Sequence, residues 1–170
     1  MSQDRRQFLK SVAAMTAAGV ATSVTTGCAS VKPNTHNSST SQGKSVMDLV
    51  VPKMDVVRIG FIGVGERGSG HVKHYCHIDG VEIKAICDTN ERILNQSIAT
   101  VVEKGFTKPD SYTGSDLAYK KMLERNDIDI VIISTPWRWH TPMCIDTMES
   151  GKHAFVEVPA ATTVDECWQL

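Results

Sequence analysis

Apolar residues along this chain fall into short continuous runs, separated by segments with a helical period. The runs cover residues 56–62, 81–87, 129–134 and 153–158. Those at 56–62 and 129–134 are apolar at successive positions rather than alternate ones. That pattern predicts strands buried on both faces of a parallel sheet. Helices are predicted over residues 68–77, 91–104, 116–125 and 142–150. Ser115 suits the start of the third, and Gly151 the end of the fourth. Lys108-Pro109-Asp110-Ser111 reads as a turn. Thr163-Val164-Asp165-Glu166 has the spacing of a capping box that opens a last helix. The order is β-α-β-α-α-β-α-β-α with short connections. Right-handed crossovers then predict an α/β fold, a doubly wound parallel sheet ordered 3-2-1-4-5 with a short or irregular third strand.

The first 55 residues have a different character. Arg5-Arg6-Gln7-Phe8-Leu9-Lys10 has the paired Arg, Phe, Leu and Lys of a twin-arginine export signal. The stretch after it, residues 12–24, is too short and too weakly apolar to span a membrane. Residues 1–30 are therefore expected to be a signal, with export by the twin-arginine machinery to the periplasm. Gly27-Cys28-Ala29-Ser30 resembles a lipoprotein site, with Thr25 where Leu is usual. Either Cys28 carries a lipid anchor or ordinary cleavage occurs nearby. Residues 31–55 read as a polar linker and lead-in. Residues 56–170 are the predicted folded domain. That export route moves folded proteins, which suits one that takes up a cytosolic nucleotide first.

The candidate chemistry lies at strand ends. The first run closes in Gly63-Val64-Gly65-Glu66-Arg67-Gly68, a Gly-x-Gly-x-x-Gly pattern between strand and helix. Gly63 would allow a tight turn, Gly65 a close approach of backbone to a pyrophosphate, and Gly68 close packing of helix on strand. The N–H groups at the helix start would hold the phosphates. The second run ends at Asp88, about 20 positions beyond Gly68. A carboxylate there accepts hydrogen bonds from the adenosine ribose and repels a 2′-phosphate, favouring NAD over NADP. The alternative is a turn or helix cap before Asn90. The Thr135-Pro136-Trp137-Arg138-Trp139-His140 loop follows the third run, and Glu157 stands near the end of the fourth. All four segments fall at strand carboxyl ends, where such sheets bind ligands.

Trp137 and Trp139 are core aromatics or face a ligand; their place after a strand favours the second. His140 either serves that site or caps the next helix. Glu157 is a charge on a buried strand, which favours a site role. His71, His74 and His77 are spaced so that the outer two lie about 240° apart around a helix. They cannot share one face, so no metal site is expected. The formal charge of −1 argues against nucleic-acid binding. The cysteines, Cys28, Cys76, Cys87, Cys144 and Cys167, are odd in number and form no C-x-x-C pair. Neither a disulfide framework nor a structural zinc site is expected. Cys87 and Cys144 read as small core residues.

Ser134-Thr135-Pro136-Trp137-Arg138-Trp139-His140 and Met148-Glu149-Ser150-Gly151-Lys152-His153 resemble the Gfo/Idh/MocA group of NAD(P)-dependent oxidoreductases. Within it the chain most resembles glycoside hydrolase family 109, the NAD-dependent α-N-acetylgalactosaminidases. The resemblance covers about residues 46–170 and implies a Rossmann NAD-binding domain. It implies NAD contacts from Glu66 and Arg67, from Asp88, from Trp137, Arg138, Trp139 and His140, and from Glu157 and Val158. Arg138 departs from the family's usual Glu, though its backbone can still serve. Val158 stands where common dehydrogenases of the group carry Lys, and a valine cannot transfer a proton. The implied reaction is hydrolysis of terminal α-N-acetylgalactosamine. It runs by transient oxidation at C3, elimination and water addition, with NAD recycled. The resemblance also implies a second, α+β domain beyond Leu170 that carries the catalytic and sugar-binding residues, so this chain alone is expected to be inactive. A sugar oxidoreductase of the same group and a non-catalytic nucleotide-binding module are the alternatives.

Overall fold

A computed structural model describes residues 50–170. The signal, Cys28 and most of the linker lie outside the described residues. Residues 50–55 form an exposed lead-in without regular structure. The elements that follow are β1 (Val57–Ile62), α1 (Glu66–Tyr75), β2 (Val81–Cys87) and α2 (Glu91–Glu103). Then come β3 (Asp110–Tyr112), α3 (Ala118–Leu123), β4 (Ile130–Ile133) and α4 (His140–Glu149). The chain closes with β5 (His153–Val156) and α5 (Val164–Gln169). All strand pairings are parallel, in the order β3-β2-β1-β4-β5. This is the order expected from the run of elements.

The apolar runs of β1, β2 and β4 are explained by helices on both faces, whereas the edge strand β5, expected to be buried, leaves His153 and Phe155 exposed. On one face Ile59, Phe61, Ile86 and Ile132 pack with Val72 of α1 and with Leu94 and Val101 of α2. On the other, Ile62, Val131 and Ile133 pack with Tyr119 and Met122 of α3 and Met143 of α4. Each fully buried side chain of this size contributes roughly 1.5–3 kcal/mol relative to exposure. The β1–β2 ladder slips between Ile59 and Gly60, so that Ile59 faces Ile83 and Gly60 faces Ala85. Lys84 is the extra residue of a bulge. By strict alternation Ile83, Ala85 and Cys87 would share a face. The bulge instead leaves Ile83 on the α1/α2 side and sends Ala85 and Cys87 to the α3/α4 side.

Several boundaries differ from the sequence reading, beginning with α1, which starts at Glu66 rather than Gly68 and ends at Tyr75 rather than His77. Asp110 and Ser111 belong to β3, not to a turn; the strand is short and paired to Ala85, Ile86 and Cys87. Its pairing is supported from a distance, because the Arg125 guanidinium reaches both Asp110 and the Tyr112 hydroxyl. Helix α3 starts at Ala118 rather than Asp116. Ser115 Oγ accepts from Leu117 N–H at 3.1 Å, and Ser115 O accepts from Ala118 N–H. Ser115 therefore makes a turn before the helix. Helix α4 starts at His140, before Pro142, which sits in the first turn where a missing N–H costs nothing. The capping box at Thr163 and Glu166 is formed in both directions.

Candidate functional site

β1 lies between β2 and β4, so the chain leaves the sheet centre in opposite directions on its two sides. A crevice opens at that switch point. Here it is a cleft of about 260 Å³ over the carboxyl ends of β1, β2 and β4. Gly63, Gly65, Asp88, Ser134, Arg138 and Trp139 are among its lining residues.

The three glycines of the loop do different things. Gly63 has φ +82, and a Cβ there would lie 2.8 Å from Ser134 O. A Cβ on Gly68 would lie 2.0 Å from Gly63 O. Neither position admits a side chain. Gly65 is the opposite case, since an added Cβ would meet nothing within 4 Å. It stands at the start of α1, with no side chain to cap the helix. The loop is closed below by protein and open above, toward the cleft. The first N–H groups of α1 have no partners within their own helix and carry the positive end of its dipole.

Asp88 locks this loop to β2. Its Oδ2 accepts from Val64 N–H at 2.7 Å, and its Oδ1 accepts from Asn90 N–H at 2.7 Å. The turn reading of Asp88 is therefore met, and the same side chain lines the cleft. It closes the turn before α2, where Asn90 is the cap, and it presents carboxylate oxygens to the cleft. Each oxygen keeps acceptor capacity for a ribose hydroxyl. Cys87, beside it, is buried, and desolvation pushes its thiol up to about 12. It is a wall, not a nucleophile.

The Trp-Arg-Trp segment forms a single 3₁₀ turn, Trp137–Trp139. Trp139 lines the cleft and rests on the α3/α4 core. The Arg138 guanidinium stacks 5.9 Å from the Trp139 ring centre and lines the same cleft. Trp137 is 65 % exposed and is not part of that lining. His140 is turned inward and is 1 % exposed. Its Nδ1 lies 2.7 Å from Pro159 O and its Nε2 2.7 Å from Thr135 O. The imidazole thus sits between two backbone carbonyls and links the loop after β4 to the segment after β5. It does not cap α4, which has no side-chain cap, and it is turned away from the cleft surface.

Glu157 follows β5, with its N–H bonded to Ile133 O. Its carboxylate faces α1: Oε1 lies 2.6 Å from His71 Nε2 and 3.1 Å from Arg67 Nε. The hydrogen bond with His71, followed by the charge of Arg67, holds this carboxyl below the usual range. Val158 is 79 % exposed. Glu66 and Arg67 are exposed on the first turn of α1. Sequence reasoning missed Ser134, Asp116 and Tyr119 as parts of the cleft wall. It also weighed His71 only within the His71, His74 and His77 series, where it expected no metal site. Ser134 Oγ is buried without a partner among the described residues. Its place one residue after a buried strand was the available signal. His71, His74 and His77 diverge: His71 meets Glu157, while His77 Nδ1 meets Lys73 O.

The parallel order, the glycine loop and the carboxylate at the end of β2 define a doubly wound dinucleotide-binding domain. The chain belongs to the Gfo/Idh/MocA oxidoreductase family, described as an oxidoreductase family with an NAD-binding Rossmann fold, whose model matches residues 57–170. It is 63 % identical to a glycosyl hydrolase family 109 protein of Shewanella pealeana, over 100 % of this chain and 36 % of that protein. It is 56 % identical to an alpha-N-acetylgalactosaminidase of Shewanella oneidensis, over 98 % of this chain and 36 % of that protein. The chain thus spans about a third of the length of these relatives. Among solved structures it is similar to myo-inositol 2-dehydrogenase from Lactobacillus plantarum. The TM-score is 0.56 and the identity 28 %, over 67 % of this chain and 31 % of that one. It is also similar to levoglucosan dehydrogenase in complex with NADH. There the TM-score is 0.55 and the identity 26 %, over 66 % and 30 % of the two chains.

NAD is the cofactor of this fold family, and the residues present fit it. The open side of Gly65 leaves room for a pyrophosphate against the start of α1, and Asp88 stands where an adenosine ribose would end.

Proposed function

We propose that this chain is the NAD-holding domain of an exported NAD-dependent glycosidase that removes terminal α-N-acetylgalactosamine. The observation that carries this reading is 56 % identity to an alpha-N-acetylgalactosaminidase across 98 % of this chain and 36 % of that protein. Held in this cleft, NAD would supply reversible hydride transfer at a sugar carbon, leaving no net redox change.

The chain's own residues bind and orient. Gly63 and Gly68 fix the phosphate loop, and Gly65 leaves space for the diphosphate. Asp88 holds the loop through Val64 N–H and accepts from the adenosine ribose. Trp139 and Arg138 close the cleft wall after β4. Val158 presents an exposed apolar side chain that cannot move a proton, so proton transfer to the sugar falls to groups outside this domain. Glu66, Arg67, Trp137, His140 and Glu157 complete the set proposed around the cofactor. His140 does so through the loop it clasps. The glycan, the twin-arginine route, the periplasmic location and a lipid on Cys28 are parts of this proposal that rest on sequence pattern.

The test is a chimera. Residues 57–170 replace the matching part of the Shewanella oneidensis relative, and an aryl α-N-acetylgalactosaminide is supplied. The reading expects release of the aryl group and the sugar with no accumulation of NADH. Stoichiometric NADH without cleavage would instead favour a sugar oxidoreductase, the reading toward which the dehydrogenase-like solved structures lean.

A further inference from the structure

Glu157 is placed by a helix that follows the opposite end of the site. Arg67 and His71 lie four positions apart on α1, on one face, and both reach Glu157 Oε1. Gly65 stands at the N-terminus of α1, under the space left for the diphosphate. Glu157 sits at the carboxyl end of β5, on the far side of the switch point from Asp88. A dinucleotide crosses the switch point with one half on each side. Asp88 puts the adenosine half over β2. The other half then lies over β4 and β5, where Glu157 and Val158 form the corner. His71 is half-buried and Arg67 largely exposed, so the shorter, better shielded contact is that of His71.

We propose that His71 is a positioning residue for the non-adenosine half of the dinucleotide, holding Glu157 and the Glu157-Val158 corner against the phosphate-loop helix. This rests on the proposed NAD binding. The imidazole does not touch the cofactor. It fixes the direction of a carboxylate that would otherwise swing between Arg67, solvent and the ligand. The contact also ties the loop that holds the diphosphate to the corner that borders the nicotinamide, so the two halves of the site keep one spacing.

The experiment measures the affinity of the 170-residue chain for NAD and for ADP, which lacks the nicotinamide nucleoside. It compares His71→Leu and His71→Gln, each also made in a Glu157→Gln background. Unfolding midpoints are recorded alongside. His71→Leu is expected to weaken NAD roughly tenfold and to leave ADP within about twofold. His71→Gln keeps an N–H donor and is expected to restore most of the NAD affinity. In the Glu157→Gln background His71→Leu is expected to add little, because its partner is already altered. Equal weakening of NAD and ADP, or no weakening of either, overturns the assignment. So does an additive double substitution. If the unsubstituted chain binds ADP but not NAD, the positioning role fails while the adenosine half of the site stands. If it binds neither, the proposed function fails first and this assignment with it.

Discussion

The Val64 N–H donates to Asp88 Oδ2 at 2.7 Å, across the gap between the glycine loop and the end of β2. One carboxylate thus sets the height of the phosphate loop and lines the space where an adenosine ribose would sit. The other oxygen accepts from Asn90 N–H. On the proposed function, loop shape and nucleotide recognition are therefore coupled at a single side chain. Its loss should be felt twice, as stability and as affinity.

The stability part follows from hydrogen-bond energetics. Asp88→Ala removes an acceptor from two backbone N–H groups and should cost about 1–3 kcal/mol. Thermal unfolding of the variant beside the unsubstituted chain measures this. An unchanged midpoint would mean that water replaces the carboxylate without loss.

The glycines should separate fold from binding. In Gly68→Ala the new methyl would collide with the Gly63 carbonyl at 2.0 Å, which no rotamer relieves. That variant should lose about 3 kcal/mol or more of stability. Gly65→Ala meets nothing within 4 Å and should stay within about 1 kcal/mol of the unsubstituted chain. On the proposed function its methyl would enter the place of the diphosphate, so its NAD affinity should fall at least about tenfold. Paired melting and titration data check both halves.

Acid should weaken the domain through identified carboxylates. Asp129 is held below the usual range first by its hydrogen bond from Arg58, and Glu157 first by that with His71. A carboxyl whose folded value is depressed adds stability above its unfolded value, near about 4. It loses that stability as pH falls through the folded value. The unfolding midpoint should therefore drop as pH is lowered below about 4, and Asp129→Asn should flatten the drop. A midpoint flat with pH would contradict it.

Thiol labelling should follow burial. Cys167 is exposed, while Cys76, Cys87 and Cys144 are buried, and desolvation raises all three of the buried thiols. Brief alkylation of the native chain at neutral pH should mark Cys167 and spare those three, read by peptide mass. Equal labelling of Cys87 would mean that the cleft wall opens.

The sheet order was legible because continuous apolar runs and short connections leave few topologies once crossovers are right-handed. The loop and Asp88 were legible for a different reason: each depends on one residue type at one strand end. What escaped was set by distant partners. Asp110 joins a strand because β2 and Arg125 reach it, which no local pattern reveals. Ser115 looks like a cap, yet the helix waits until Ala118. His140 looks like a free imidazole until Pro159, 19 positions on, supplies a carbonyl. His71 drew notice only as part of a histidine series, and its partner lies 86 positions away.

On the proposed function, the cleft over β1, β2 and β4 holds NAD by the Gly65 backbone and the Asp88 carboxylate. Calorimetric titration of NAD and NADP into the chain, and of NAD into Asp88→Ala, tests it most directly. The account predicts saturable one-to-one NAD binding, weaker NADP binding, and at least about a tenfold loss in Asp88→Ala. No saturable NAD binding, or NAD binding unchanged by Asp88→Ala, would contradict it.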